Sequence, residues 1–228
     1  MNAKRWPRFL PFGDTAIVVE FGDRIDAATN LRVRALAHSL AHAAIGGFGE
    51  TVITYRSLLV HYDPCLWTYD EALHLLKSRV SDAVCVAPAV ERLVEVPTVY
   101  GGAFGPDLEY VAAHNAIGVE EVIRLHTSVE YPVYMLGFTP GFPYLGGVPP
   151  DIAAPRLETP RPRVPAGSVG IAGQQTGIYS VESPGGWRII GRTPLRLFDP
   201  FREPPALLAP GDRVRFVAIA PTEFDDGA

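Results

Sequence analysis

Arginine and amide side chains are concentrated in one stretch of the second half of this chain. Arg161 and Arg163 stand in RPRVPAG, Gln174 and Gln175 stand in the loop GQQTG, and Arg192 follows in GRTP. Guanidinium groups bind carboxylates and phosphates through paired hydrogen bonds, and amide groups can pair with a lactam. Such groups bind ligands and do not abstract protons, so the stretch predicts a substrate or nucleotide site without a general base. Three further candidates lie in the same stretch: Tyr179, Ser183 and Trp187.

The alternative interpretation of this stretch is structural. Arginines are common surface charges, and the two glutamines of GQQTG would suit the exposed turn of a hairpin. The sequence leaves the two interpretations open.

A second candidate surface is the aromatic segment GFTPGFPYLGG, residues 137–147. It places Phe138, Phe142 and Tyr144 between glycines and prolines, which fix tightly bent backbone. Aromatic side chains on a rigid scaffold lose little entropy when they bind. We therefore expect these three to line a pocket or a partner interface rather than to pack only in the core.

The usual catalytic and metal-binding patterns are incomplete in this chain. The segment AGSVG around Ser168 resembles a nucleophile elbow, but Ala166 occupies its first position and no helix is predicted to follow. His38 and His42 stand four apart on a predicted helix without a third ligand, and His61 is isolated in an apolar strand. No GxxxxGK[ST] motif is present. The sequence therefore predicts no metal site and leaves the catalytic residues unknown.

Three long strings of the sequence resemble the B subunit of ATP-dependent 5-oxoprolinase. They are GFTPGFPYLGG, RPRVPAGSVGIAGQQTGIY and SPGGWRIIGRTPLRLFDP, and the similarity extends to FGDTAIVVEFG near the N-terminus. The same family includes the histidine-kinase inhibitor KipI and the proteins called allophanate hydrolase subunit 1. Two positions depart from the family pattern, because Ala103 replaces a common acidic residue and Ser180 replaces a common proline.

The resemblance implies both a fold and a function. The implied fold is α+β, a small N-terminal α/β domain followed by a cyclophilin-like β-barrel with short helices. The implied function is that of a subunit that opens 5-oxoproline to L-glutamate together with the A and C subunits, with an ATP site that is shared or carried by a partner. Two alternatives remain: an inhibitor that binds a sensor histidine kinase through the aromatic segment, and a subunit of a urea or allophanate amidolyase system.

Composition narrows the possible partners and the location. The formal net charge is −5 and only two residues are lysines, Lys4 and Lys77, so nucleic-acid binding is not expected. No apolar run approaches the roughly 20 residues of a membrane span, and the N-terminus lacks the apolar core of a signal peptide. The sequence therefore predicts a cytoplasmic protein that does not bind membranes.

Hydrophobic periodicity predicts two domains, residues 1–88 and residues 89–228. The first should be a small α/β domain, because apolar runs of strand length alternate with amphipathic segments. Its predicted helices and strands are 15–21 (strand), 27–43 (helix), 51–55 and 58–62 (strands) and 69–80 (helix).

The second domain is predicted to be mainly strands and turns, the pattern of a small barrel. A strand begins in LVEVPTVY, and Asp107 is placed to cap a short helix that ends near Asn115. A further helix is predicted over residues 118–127. The remaining predicted strands are 131–136, 168–172, 177–181, 187–190, 195–198 and 213–219.

Overall fold

The computed structural model describes residues 6–83 and 92–225 of the 228-residue chain. The chain folds into two units, Met1–Val90 and Glu91–Ala228, and each has its own hydrophobic core. The predicted boundary between residues 88 and 89 lies outside the described residues.

The N-terminal unit packs two helices on an antiparallel sheet. Its elements are β1 (Arg8–Phe12), β2 (Ala16–Glu20), α1 (Ala27–Ala43), β3 (Phe48–Ile53), β4 (Ser57–Tyr62) and α2 (Tyr69–Ala83). The strand order in the sheet is β1-β2-β4-β3, so β1 and β3 are its edges. Sequence patterning missed β1, because its five residues RFLPF include a proline and do not alternate between buried and exposed.

Helix α1 shows why the sequence predicted this unit well. The Asp26 side chain accepts a hydrogen bond from the backbone N–H of Thr29 at 2.8 Å, which satisfies one of the free donors of the first turn. Val33, Leu36 and Leu40 recur on one face and are buried. The local cap and the apolar stripe together fix both the start of the helix and the face that it buries.

The C-terminal unit contains a closed seven-stranded barrel. The strands of this unit are β5 (Leu93–Tyr100), β6 (Glu130–Leu136), β7 (Pro143–Gly146), β8 (Arg161–Val164), β9 (Ser168–Ala172), β10 (Gln175–Ile178), β11 (Ser183–Gly185), β12 (Arg188–Arg192) and β13 (Arg213–Ala218). The strand order in the barrel is β10-β7-β6-β13-β5-β12-β9, and β9 pairs back with β10. The β13–β5 pair is parallel, and the other pairs are antiparallel.

Short helices and a small second sheet complete this unit. Helices α3 (Leu108–His114) and α4 (Val119–Thr127) bury Val111 and Val122 in the main core, and β8 pairs with β11 outside the barrel. The α+β fold with a barrel is therefore confirmed. None of the described helices is long and apolar enough to cross a membrane.

One predicted strand is absent, because residues 195–198 form only a single bridge, Phe198 to Ala206. The Arg202 guanidinium instead donates to the carbonyl oxygens of Arg196 and Leu197 at 3.4 and 3.3 Å. The Arg202 side chain thus pairs the Arg196 carbonyl and adds to the bond that the backbone N–H of Leu207 donates to the Leu197 carbonyl at 2.8 Å, an arrangement that apolar patterning cannot reveal.

Candidate functional site

A cavity of about 370 Å³ opens in the C-terminal unit. Its walls come from the turn before β7, the segment before β8, the end of β10 and the turn between β11 and β12. The described lining residues are Phe138, Phe142, Tyr144, Arg156, Leu157, Pro160, Tyr179, Pro184, Gly185, Gly186 and Trp187.

Phe142 is the centre of the aromatic wall. It makes T-shaped contacts with Phe138, Tyr144, Tyr179 and Trp187, with ring centroids 5.0 to 5.6 Å apart. Phe142 is almost fully buried, whereas Phe138 is 61% exposed at the cavity edge. Because edge-to-face packing fixes the ring orientations, the wall is a preformed apolar surface.

Glycine at two positions makes this wall possible. A Cβ atom at Gly185 would overlap the Tyr179 hydroxyl, and one at Gly177 would lie 2.9 Å from Cζ of Phe142. Side chains at either position would displace the rings that line the cavity. Gly177 and Gly185 therefore serve close packing around the cavity rather than flexibility.

The two tyrosines of the cavity are neutral hydroxyl groups at physiological pH. Burial raises the pKa of both Tyr144 and Tyr179, and the nearby positive charge of Arg156 only partly opposes this effect. They can donate and accept hydrogen bonds but offer no base. None of the described lining residues is a carboxylate, histidine, serine or cysteine. The cavity is therefore suited to binding rather than to proton transfer.

Arg161 lies beside this cavity, but its guanidinium is bound within the protein. Both terminal nitrogens donate to the Asp107 carboxylate at 2.8 Å, and Asp107 also accepts from the backbone N–H of Ile189 at 2.7 Å. Asp107 stands at the predicted N-cap position of α3, but its side chain makes no capping bond. The predicted N-cap position of Asp107 is thus confirmed, but the capping hydrogen bond is absent, because the paired guanidinium and a strand amide use its oxygens instead.

The other predicted polar residues are dispersed and do not line the cavity. Arg163 is exposed and pairs with Glu182 through two bonds of 3.0 Å, and Arg192 donates to the Ala166 carbonyl at 2.8 Å. Ser183 is buried with no hydrogen-bond partner for its hydroxyl among the described residues. Their assignment to a ligand site stays a prediction.

The two glutamines occupy the hairpin between β9 and β10. Gln174 is exposed in the turn, and its backbone carbonyl accepts a hydrogen bond from the backbone N–H of Val148 at 3.3 Å. Gln175 begins β10, opposite Gly146 of β7 and Ala172 of β9. Neither lies on the aromatic wall.

The structure therefore combines residues from both predicted surfaces. Tyr179 and Trp187 come from the polar stretch and join Phe138, Phe142 and Tyr144 of the aromatic segment in one cavity. Sequence reasoning missed the segment APRLETP, which contributes Arg156, Leu157 and Pro160. Its proximity to RPRV was the only available signal.

A second cavity, of about 420 Å³, lies in the N-terminal unit between the end of α1 and β3. Most of its lining is apolar or glycine, and Glu50 is the only charged residue among the described lining residues. His38 and His42 are exposed on α1 with their rings 3.9 Å apart, and His61 lies half-buried in β4. The described residues contain no group of three potential metal ligands.

Comparison with known proteins identifies the family of this chain. The family model described as carboxyltransferase domain, subdomain C and D, matches residues 7–208. The chain belongs to the carboxyltransferase-domain family. The 5-oxoprolinase B subunit of Bacillus subtilis (strain 168) is 46% identical over 226 residues, covering 93% of this chain and 92% of that protein. The relative of the same name in Escherichia coli O157:H7 is 45% identical and covers 90% and 93%.

These matches confirm the resemblance inferred from the motifs, and a solved structure supports the fold. The crystal structure of TTHA0988 matches this chain with a TM-score of 0.80 and 41% sequence identity. The match covers 90% of this chain but only 40% of the TTHA0988 chain. Urea amidolyase of Lachancea kluyveri is 26% identical over 93% of this chain but over only 13% of its own length. The similarity to the 5-oxoprolinase B subunit is therefore much stronger than the similarity to urea amidolyase.

Proposed function

We propose that this chain is the B subunit of a 5-oxoprolinase, a hydrolase that opens 5-oxoproline to L-glutamate. The observation that carries the proposal is the 46% identity to the Bacillus subtilis B subunit over nearly the full length of both proteins. The proposal includes ATP as cosubstrate, the A and C subunits as partners, and a cytoplasmic location.

The composition of the cavity supports a role as one subunit among several. Opening a stable lactam with ATP requires a nucleotide site, stabilisation of the developing oxyanion and an activated water. Among the described lining residues only Arg156 carries a charge. A triphosphate carries several negative charges, so it does not fit this cavity, and we assign the nucleotide site to a partner or to a surface shared with one.

The chain's own residues then contribute binding and exclusion of water. The aromatic wall around Phe142 offers an apolar, preformed surface, and the tyrosine hydroxyls can orient a polar ligand. General-base chemistry would come from another subunit.

The test is ATP-dependent release of glutamate from 5-oxoproline. We expect activity only when this chain is co-expressed with the A and C subunits, and none from this chain alone or from the partners alone. Hydrolysis by the isolated chain would contradict the subunit role. An assembled but inactive mixture would favour another amide substrate, such as urea or allophanate, and failure to assemble would favour an inhibitor of a histidine kinase.

A further inference from the structure

Arg156 differs from the neighbouring arginines of the same segment in having no carboxylate partner among the described residues. Arg161 is held by Asp107, and Arg163 is held by Glu182. Within the described part of the chain, Arg156 makes no ion pair or hydrogen bond, and its guanidinium carbon lies 5.8 Å from the ring centroid of Trp187. A guanidinium stays protonated at all physiological pH values. Arg156 is therefore a permanent, uncompensated positive charge in the lining of an apolar cavity.

The backbone on both sides of Arg156 is fixed. The Pro155 carbonyl accepts from Nε of Arg188 at 3.2 Å, and the backbone N–H of Leu157 donates to the Gly186 carbonyl at 2.7 Å. The position of the Arg156 Cα relative to the aromatic wall is thus set by hydrogen bonds. Its side chain is exposed and free to reach toward a ligand.

A cation at the rim of an aromatic wall indicates the kind of ligand that fits. The wall provides flat apolar contact with Trp187 and Phe142, and Arg156 provides a two-pronged donor for a carboxylate. A small ring that carries a single carboxylate satisfies both groups. A nucleotide does not, because its phosphates would need more donors than one guanidinium supplies.

We propose that Arg156 binds the carboxylate of a small cyclic acid whose ring contacts Trp187 in this cavity, and that this acid is 5-oxoproline. The identity of the acid rests on the proposed function, whereas the pairing of one carboxylate with one ring rests on the cavity itself. Arg156 is thus a residue that determines substrate specificity.

The test compares two ligands and three variants in the assembled complex. The ligands are 5-oxoproline and 2-pyrrolidinone, which has the same lactam ring without the carboxylate. The variants are Arg156→Met, Arg156→Lys and, as the matched control, Arg124→Met, which removes an exposed arginine of α4 that lies outside the cavity lining. Binding is measured by equilibrium dialysis, and KM and kcat are measured by glutamate release.

Arg156→Met should raise the Kd and KM for 5-oxoproline by about tenfold to a hundredfold, the effect of losing one charge-assisted hydrogen-bonded pair. In Arg156→Met the Kd for 2-pyrrolidinone and the kcat should change little. Arg156→Lys should restore part of the affinity for 5-oxoproline. Arg124→Met should behave as wild type. If Arg156→Met lost equal affinity for both ligands, or if its Kd for 5-oxoproline were unchanged, the proposal would be overturned.

The outcomes for the site and for the function can be told apart. An active wild-type complex whose KM is insensitive to Arg156→Met would overturn the site and leave the function standing. A wild-type complex that binds 5-oxoproline through Arg156 but releases no glutamate would overturn the function and support the site. A wild-type complex that neither binds 5-oxoproline nor releases glutamate would overturn both proposals.

Discussion

Replacing Asp107 by alanine should destabilise the C-terminal unit by about 3 kcal/mol, the lower end of the range for removing one partner of a buried ion pair. Asp107 is buried and accepts from both terminal nitrogens of Arg161 and from the backbone N–H of Ile189. Its loss leaves a strand amide and the half-buried Arg161 guanidinium without an acceptor, and it removes the 3.9 Å ion pair with Arg188. The lower end applies because the Arg161 side chain is 31% exposed, so water can solvate part of the freed charge.

Urea unfolding followed by Trp187 fluorescence measures this effect. Trp6 and Trp67 should be replaced by phenylalanine, so that the signal reports only the C-terminal unit. Glu182→Ala is the matched control, because it breaks an equally bidentate pair whose side chains are 76% and 51% exposed. Such an exposed pair contributes far less stability than a buried one, because water solvates both charges. An equal loss of unfolding free energy in Asp107→Ala and Glu182→Ala would show that the Asp107 network does not stabilise the unit.

The second large effect is a loss of stability in mild acid caused by His126. This histidine is completely buried, and burial lowers its pKa from 6.5 to about 3. The rings in contact with it are those of Tyr100, Tyr131 and Phe216, and none of these carries a charge. The folded protein therefore keeps His126 neutral in a pH range where the unfolded chain would protonate it.

The hydrogen bonds around His126 also require the neutral ring. The Thr176 hydroxyl donates to the Gly170 carbonyl at 3.0 Å, so it accepts from Nε2–H of His126 at 3.1 Å. Nδ1 is then the acceptor for the Tyr100 hydroxyl at 2.8 Å. Protonation of Nδ1 would turn this acceptor into a donor and break the bond in which Tyr100 donates.

The sign of the pH effect follows from linkage. Between pH 6.5 and pH 3 the unfolded state binds one more proton at this site than the folded state, so stability falls as the pH falls through that window. The loss should reach about 3 kcal/mol between about pH 6.5 and 4.5, at about 1.4 kcal/mol for each pH unit. Above this window the site contributes no pH dependence.

Urea unfolding at a series of pH values checks this expectation. His126→Gln should flatten the pH dependence of the unfolding free energy over this window, because it removes the titrating group. This expectation holds whatever the absolute stability of the variant. His42→Gln should retain the wild-type slope, since His42 is exposed on α1. If a His126 variant lost unfolding free energy with falling pH as steeply as the wild type, the acid sensitivity would belong to other groups.

The sequence alone determined the local elements and the family. Helix α1 was predicted with its observed bounds, Ala27–Ala43, because the Asp26 cap and the apolar spacing act within a few residues. Most barrel strands were predicted within about two or three residues of their observed ends for the same reason. The Gly- and Pro-rich motifs carried the resemblance that the comparisons confirmed.

Only the tertiary structure decided which side chains meet. Arg156, Arg161 and Arg163 lie close together in the sequence and are chemically identical. Their roles differ because the fold brings Asp107, 54 positions away, to Arg161 and brings Glu182 to Arg163, while no carboxylate among the described residues reaches Arg156. Local pattern sets where a chain bends and pairs, but the charge left free in a site depends on contacts between distant segments, which no spacing in the sequence encodes.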